Sequence, residues 1–339
     1  MKLENKTPYP ADLFRGVIRE RRLFGSVAIR VAYDILGQEL RIADEQTWPI
    51  SPGPWESAFG PMPGDELMIR GGVDVLLHGY ARTSHQRPVT RLDVEVAVGP
   101  GWRHRIAVIG DRSWERGLTG LRPSAPIPFS ILPLTLERAY GGSGEWDSLE
   151  VPFVDNPRGR GFYIDEDSAR GQPLPNIENP EALIDRWDDR PDPVGVQACD
   201  LVFGPRVRRS VGVDLERHVI TELRSTLFNA AFPDMIAPAA HAGDEVRITG
   251  VRHDGPVLFR LPPPPLRLVL RFGEQEVVRE PAIDQIGVDT EGMRAFLSYR
   301  FPFRYQMIPL QKRHIQLLVA EPSSAWASVP LATSYGEAQ

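Results

Sequence analysis

Leu92 to Ile109 reads LDVEVAVGPGWRHRIAVI, and this stretch decides the class of fold. Leu92, Val94, Val96 and Val98 alternate with Asp93 and Glu95. Gly99-Pro100-Gly101 turns the chain, and Trp102, His104, Ile106 and Val108 carry the same period back. Successive side chains of a strand point to opposite faces, so a period of two with one apolar parity marks a hairpin lying between a core and water. A slip of one residue would bury Asp93 and Glu95, so the register is well specified.

The same pattern recurs on both sides. Val27, Ile29, Val31 and Tyr33 share a parity, Asp34 to Gln38 turns at Gly37, and Leu40 to Ala43 returns as a partner strand. Leu67 to Tyr80 is a strand region broken by Gly71-Gly72. Glu245 to Val251 and Val257 to Leu261 flank the turn His253-Asp254-Gly255-Pro256. Leu266, Leu268, Leu270 and Phe272 alternate before Gly273, and Arg294 to Phe301 and His314 to Ala320 complete the set. Helix signals are sparse. Asn179 as N-cap with Pro180 behind it predicts a short helix ending near Trp187, and Thr221 to Ala231 reads as a short helix or a packed loop.

The 33 prolines and 30 glycines argue for many short elements joined by ordered turns, because proline breaks helices and central strands. The expected fold is mainly β, with antiparallel sheets in one or two packed sandwich-like lobes, long Pro/Gly-rich loops and few short helices. The expected organisation is an N-terminal β lobe over 1–145 and a loop-rich connecting region with one helix over 146–198. A C-terminal β lobe over 199–321 and a flexible tail over 322–339 follow.

Composition bounds the function. At 339 residues, 42% hydrophobic and 25% charged, the chain can bury a large core. With 39 basic and 45 acidic residues its net charge of −6 carries no electrostatic footprint for nucleic acid. The clusters Arg19 to Arg22 and Arg206 to Arg209 read as solvated faces. Cys199 is the single cysteine, which excludes an internal disulfide or a cysteine-rich zinc site. MKLENKTPYPADLFRG at the start lacks the apolar centre of a signal peptide, and no apolar run approaches a membrane span, so a cytoplasmic location without membrane contact is expected.

The chemistry-bearing residues form no recognisable constellation. The histidines His78, His85, His104, His218, His241, His253 and His314 are scattered, without metal-ligand spacing. Gly141-Gly142-Ser143-Gly144-Glu145 resembles a nucleophile elbow but has Glu145 where glycine belongs and no helix pattern after it. No phosphate-binding or dinucleotide-binding glycine loop is present, so no cofactor and no metal are expected. Asp165, Glu166, Asp167, Asp188 and Asp189, with Trp187 as a platform, are the candidates for a glycosidase carboxylate pair, although sequence spacing cannot set their separation. Cys199 reads as a small buried apolar residue.

Leu132 to Phe162, LPLTLERAYGGSGEWDSLEVPFVDNPRGRGF, is the other informative stretch. Leu132, Leu134 and Leu136 alternate until Gly141, Gly142 and Gly144 break the run, and Asn156-Pro157-Arg158-Gly159-Arg160-Gly161 closes it. Arg158 and Arg160 between glycines could grip a carboxylate or phosphate, or could bond backbone carbonyls or Glu137 to hold the corner.

Taken in order, several phrases resemble one bacterial family, the proteins carrying the domain of unknown function 2169 associated with type VI secretion. The phrases are Gly110-Asp111-Arg112-Ser113-Trp114, Pro128-Phe129, Glu137-Arg138-Ala139-Tyr140-Gly141-Gly142 and Asn156 to Phe162. Leu174-Pro175-Asn176-Ile177-Glu178, Phe203-Gly204-Pro205 and Phe228-Asn229-Ala230-Ala231 follow. The resemblance departs in the aspartate- and proline-rich run from Asp185 to Cys199 and near Phe203. It implies a cytoplasmic adaptor or chaperone, not an enzyme, that binds a secreted effector toxin and helps load it onto the valine-glycine-repeat spike protein. It carries over no catalytic residue. Glu137, Arg138, Tyr140, Gly141, Gly142, Asn156, Pro157, Arg160, Gly161 and Phe162 are then a structural signature. The loop aromatics Trp48, Trp55, Phe59, Trp146 and Trp187 are the candidate partner anchors, since large aromatics on ordered loops dominate interfaces. The alternatives are a carbohydrate-active β-sandwich using the 165–189 carboxylates and a structural component of a secretion assembly.

Overall fold

A computed structural model describes residues 1–19, 22–66, 69–306, 308 and 311–320. Sheets of seven, five and four strands carry the architecture, with short two-stranded pairs around them. The fold is mainly β and its sheets are mostly antiparallel.

The seven-stranded sheet is built on Arg22–Leu36, which pairs with Arg294–Gln306 in an unbroken antiparallel register from Asp34↔Arg294 to Arg22↔Gln306. Ala11–Arg19 and Glu39–Ile42 also pair with Arg22–Leu36. Ala282–Asp289 lies on the other side of Arg294–Gln306 and runs parallel to Val73–His78, which Ile236–Ala237 flanks. Val27, Ile29, Val31 and Tyr33 are buried on one parity, as their alternation requires. The opposite parity, Ser26, Ala28, Arg30 and Ala32, is buried as well.

The hairpin Arg91–Val98 and Trp102–Ile109 forms with Val98 opposite Trp102, and Val94, Val96, Val98, Ile106 and Val108 face inward. It is the centre of the five-stranded sheet, with Ile177–Glu178 on one edge and Glu245–Thr249 then Val257–Arg260 on the other. Leu3–Asn5, Arg313–Val319, Leu266–Phe272 and Gln275–Arg279 form the four-stranded sheet. Inward residues of all three sheets, among them Val31, Val96, Leu268 and Leu317, share one continuous core. Strands from 1–145 and from 199–321 therefore interleave, and the two expected lobes do not correspond to separate sheets.

A smaller core of Trp114, Tyr140, Ala169, Leu174 and Ile184 lies beneath the connecting region, with Phe153, Phe162 and Trp187 packed on it. Among the described residues the α-helices are Glu166–Ala169, capped by Asp165, and Gly204–Ser210, opened by Pro205.

Three local expectations are corrected. Asn179 does not cap a helix: its side chain accepts from the Glu181 amide at 3.0 Å, and the chain turns and bridges to Ala182. This is the competing asparagine turn, which uses the same side-chain acceptor as an N-cap. Thr221 to Ala231 splits between the strand Val219–Leu223 and a 3₁₀ turn, Ser225–Phe228. Arg206 is not on a solvated face: at 1% exposed it donates to Cys199 Sγ at 3.2 Å and to the carbonyls of Ala231 at 3.0 Å and Asp200. The Arg19–Arg22 cluster and the tail over 322–339 lie outside the described side chains.

Candidate functional site

Leu132 to Phe162 folds back on itself as one corner. Leu132, Leu134 and Leu136 are buried as their alternation demands, but the strand is only Ile131–Pro133, paired with Tyr80–Arg82, before a 3₁₀ turn at Leu136–Arg138. Tyr140–Gly141 then pairs in parallel with Arg160–Gly161, so the two glycine breaks meet.

Asn156 ties the corner. Its Nδ2 donates to the carbonyls of Leu136 at 2.9 Å and Tyr140 at 3.0 Å. Its own carbonyl accepts from the amides of Gly142 at 2.9 Å and Gly159 at 3.1 Å. Gly141 has φ 149°, and a Cβ there would lie 2.0 Å from the Asn156 oxygen, so no other residue fits. Arg160 Nε donates to the Glu137 carbonyl at 3.0 Å, which is the corner-holding role. Arg158 instead reaches Glu56 at 2.6 Å in an exposed pair, which contributes little.

Asn176 forms a second knot beside the first. Fully buried, it donates from Nδ2 to the Ile109 carbonyl at 2.9 Å and to Asp111 Oδ1 at 3.0 Å, while its Oδ1 accepts from Arg138 Nη1 at 3.0 Å. Its backbone bonds Ile109 and Arg138 at 2.8 Å each. One residue pair further on, Arg112 donates to Glu178, whose other oxygen accepts the Ile184 amide at 2.7 Å. Burial pushes the Glu178 carboxyl up, against the pull of Arg112. Phrases that are distant in sequence, 110–114, 137–142, 156–162 and 174–178, are thus bonded into one polar frame over the small core.

The seven-stranded sheet holds a polar cluster that strand alternation does not reveal. On the buried second face of that sheet, Arg30 Nη2 meets Asp65 at 2.8 Å, Arg70 Nη1 meets Asp284 at 2.8 Å, and Arg300 Nε meets the same Asp284 oxygen at 2.6 Å. Arg70 also faces Asp74 at 3.4 Å and Asp65 at 3.6 Å. Asp74 accepts from Asn229 Nδ2 at 2.9 Å, from the amides of Ala230 at 2.9 Å and Ala231 at 3.1 Å, and from Gln285 Nε2 at 3.1 Å. Arg30 completes the frame with Ser298 Oγ at 2.9 Å, Gln285 Oε1 at 3.0 Å and the Pro49 carbonyl. Burial pushes the Asp284 carboxyl up, but Arg300 and Arg70 outweigh it and hold it below the ordinary carboxylate range. The cluster sets three guanidinium groups, Arg30, Arg70 and Arg300, among three carboxylates, Asp65, Asp74 and Asp284, and it ties Pro49, Asp65, Arg70 and the 229–231 segment onto the sheet.

The family described as "Uncharacterized protein conserved in bacteria (DUF2169)" matches the chain over residues 20–300. The chain belongs to this family. The DUF2169 region covers the whole polar frame and the residues of the buried ionic cluster, and it leaves the strand Ala11–Arg19 and the part of Arg294–Gln306 beyond Arg300 outside. No curated protein and no solved structure matches the chain.

The DUF2169 fold distributes the expected anchors unevenly. Phe59 is 1% exposed and packs edge-on to Phe296 at 5.1 Å, so it belongs to the core and offers no surface. Trp48 is half-buried against Phe296 at 5.4 Å with Arg294 over its face, and Trp55 is half-buried beneath Arg30. Trp187 packs on the small core. Only Trp146, 62% exposed on the hairpin Ser143–Trp146/Leu149–Pro152, stands free of the body among these five.

The acidic candidates do not converge by their bonds. Asp165 caps its helix through the Ser168 amide at 2.7 Å, Asp188 pairs with Arg186 at 2.8 Å, and Asp189 accepts the Arg186 amide at 3.0 Å. Among the described residues no group of three His, Cys, Asp or Glu side chains is placed to hold a metal ion. Burial pushes the Cys199 thiol up to about 12, which keeps it protonated and unreactive. Among the described residues no helix is long and apolar enough to cross a membrane.

Proposed function

We propose that this protein is a non-enzymatic adaptor of type VI secretion that binds an effector toxin in the cytoplasm and helps seat it on the valine-glycine-repeat spike protein. The observation that carries the reading is the use made of the family phrases. Asn156, Asn176, Arg138, Arg160 and Glu178 each spend their polar atoms on the chain's own backbone and neighbours. Residues used in this way stabilise a scaffold and leave recognition to what projects from it. Apolar side chains are among what projects: Trp146, Leu149 and Val154 near one hairpin, and Val213, Leu215 and Ile220 on another. Exposed apolar groups of this size on a rigid frame are typical of a protein-binding surface.

The test is affinity capture of the tagged full chain from a bacterium that carries it and a type VI secretion system. Recovery of a toxin and of the spike protein, identified by mass spectrometry, is the expected result. Recovery of neither from actively secreting cells overturns the reading.

A further inference from the structure

Leu3–Asn5 is the shortest strand of the four-stranded sheet and runs parallel to Arg313–Val319, with Leu3 opposite Ile315 and Asn5 opposite Leu317. Lys6 N extends the ladder by one bond, to the Leu317 carbonyl at 2.9 Å. On the outward face Glu4 accepts from Gln316 Nε2 at 2.6 Å and meets His314 Nε2 at 2.8 Å and Lys6 Nζ at 3.2 Å. These exposed contacts add little stability. On the inward face Leu3 packs half-buried on the main core, in register with the fully buried Ile315. Asn5 Nδ2 donates to the carbonyl of Tyr9 at 2.8 Å, and the buried Tyr9 pins the segment to the body.

The chain has three lysines, and all of them stand at this edge. Lys2 and Lys6 flank Leu3–Asn5, Lys312 precedes Arg313–Val319, and Pro8 and Pro10 follow Lys6. A three-residue strand bordered by lysine and proline is a form in which native sheets end, because it offers a further strand few backbone groups and a charge to desolvate. Arg313–Val319 has the opposite character. It is seven residues long, holds no proline, and its inward Ile315 and Leu317 carry the core out to the edge. Its other side is filled by Leu266–Phe272, so among the described residues Leu3–Asn5 alone separates this edge from a further strand.

Uncovered, the edge fits a copy of itself. In the antiparallel register centred on Gln316, Ile315 faces the mate's Leu317 on the inward side and His314 faces the mate's Leu318 on the outward side. Arg313 faces Val319, so no like charges are opposed. The arrangement has a two-fold axis and closes at two chains. We infer that residues 1–6 are a guard strand: they hold the Arg313–Val319 edge closed, and without them that edge pairs with the same edge of a second copy. The inference is independent of the adaptor reading, since it concerns how one sheet ends and not what the protein carries.

The test compares the full chain with a chain lacking residues 2–6, by sedimentation velocity over a range of concentrations. The shortened chain is expected to dimerise, associating at least about ten-fold more tightly than the full chain. Hydrogen exchange at the amides of residues 313–319 slows as the dimer forms, and an excess of a peptide of residues 1–7 returns the monomer. Gln316→Lys in the shortened chain sets two lysines against each other at the two-fold axis and also returns the monomer. Should the deletion not fold, Leu3→Asp at full length opens the edge and carries the same expectation. Monomeric behaviour of the folded variant overturns the inference. So does a dimer indifferent to the peptide and to Gln316→Lys, or slowed exchange confined to another edge.

Discussion

Asn156→Ala is the perturbation that tests the corner most directly. The substitution deletes Nδ2 and with it the bonds to the carbonyls of Leu136 and Tyr140, in a side chain only 4% exposed. A buried acceptor stripped of its donor costs about 1–3 kcal/mol. The Leu136 carbonyl also accepts the Ala139 amide at 3.2 Å, so it is not left bare. Two stripped carbonyls would together set about 2–6 kcal/mol, so the total belongs near the low end of that range, about 2–3 kcal/mol, against a whole-protein stability of order 5–15 kcal/mol. The backbone bonds from Gly142 and Gly159 to the Asn156 carbonyl need no side chain, so the corner still closes and the variant folds. Equilibrium urea unfolding, with m-values compared, measures the loss. Asn156→Asp is the sharper companion, because it places a carboxylate oxygen against two carbonyls. That raises the folded carboxyl's pKa above the ordinary value near 4, so the deficit of the Asp variant shrinks as the pH falls and the protonated group can donate. A loss under about 0.5 kcal/mol for the alanine, the range of ordinary surface changes, would refute the account of the corner.

Arg160→Ala removes one bond to the Glu137 carbonyl and is expected to cost about 0.5–1.5 kcal/mol by urea unfolding, with partner capture per folded molecule unchanged. Intact stability with lost capture would return Arg160 to the surface that meets the partner. Asp284→Asn breaks a buried ionic pair with Arg300 and Arg70 and should cost about 3–5 kcal/mol at neutral pH. Because the folded Asp284 carboxyl is held low, its contribution is present above about pH 4 and is lost as the pH falls through the lower folded value. Stabilities of the two proteins should converge in acid, and a gap that stays constant down to about pH 3 contradicts the network. Trp146→Ser is expected to change stability by less than about 0.5 kcal/mol while weakening capture of the partner. Trp48→Ala, which empties a site beside Phe59 and Phe296, should cost about 3 kcal/mol without a specific effect on capture, and the opposite pattern would exchange their roles.

The period of two was enough to place Arg91–Val98 and Trp102–Ile109 and to choose their inward faces, because a hairpin's pairing is local and its turn lies within the stretch. The helix expected after Asn179 was not legible for the opposite reason. An asparagine side-chain acceptor serves an N-cap and a turn equally, and the small core beneath Ile184 and Trp187 decided between them. Arg206 shows the same limit. An arginine cluster with two solvent-facing members, Arg208 and Arg209, looks identical in sequence whether or not its first member points inward.

The sequence by itself determined the mainly-β class, the hairpins, the glycine corners and the family phrases, since each rests on neighbours within a short span. Only the tertiary structure decided that Gly141 and Gly161 meet, that Asn156 and Asn176 hold the frame, and that Phe59 is core. It also joined Arg70 to Asp284 across 214 positions of chain and buried the second face of Arg22–Leu36. The parity Ser26, Ala28, Arg30 and Ala32 is compatible with water or with a covering loop. The choice is made by Asp65 and the Pro49 carbonyl, which the fold brings onto it. Alternation reports which side chains share a face; what lies opposite that face depends on long-range closure, which no local pattern encodes.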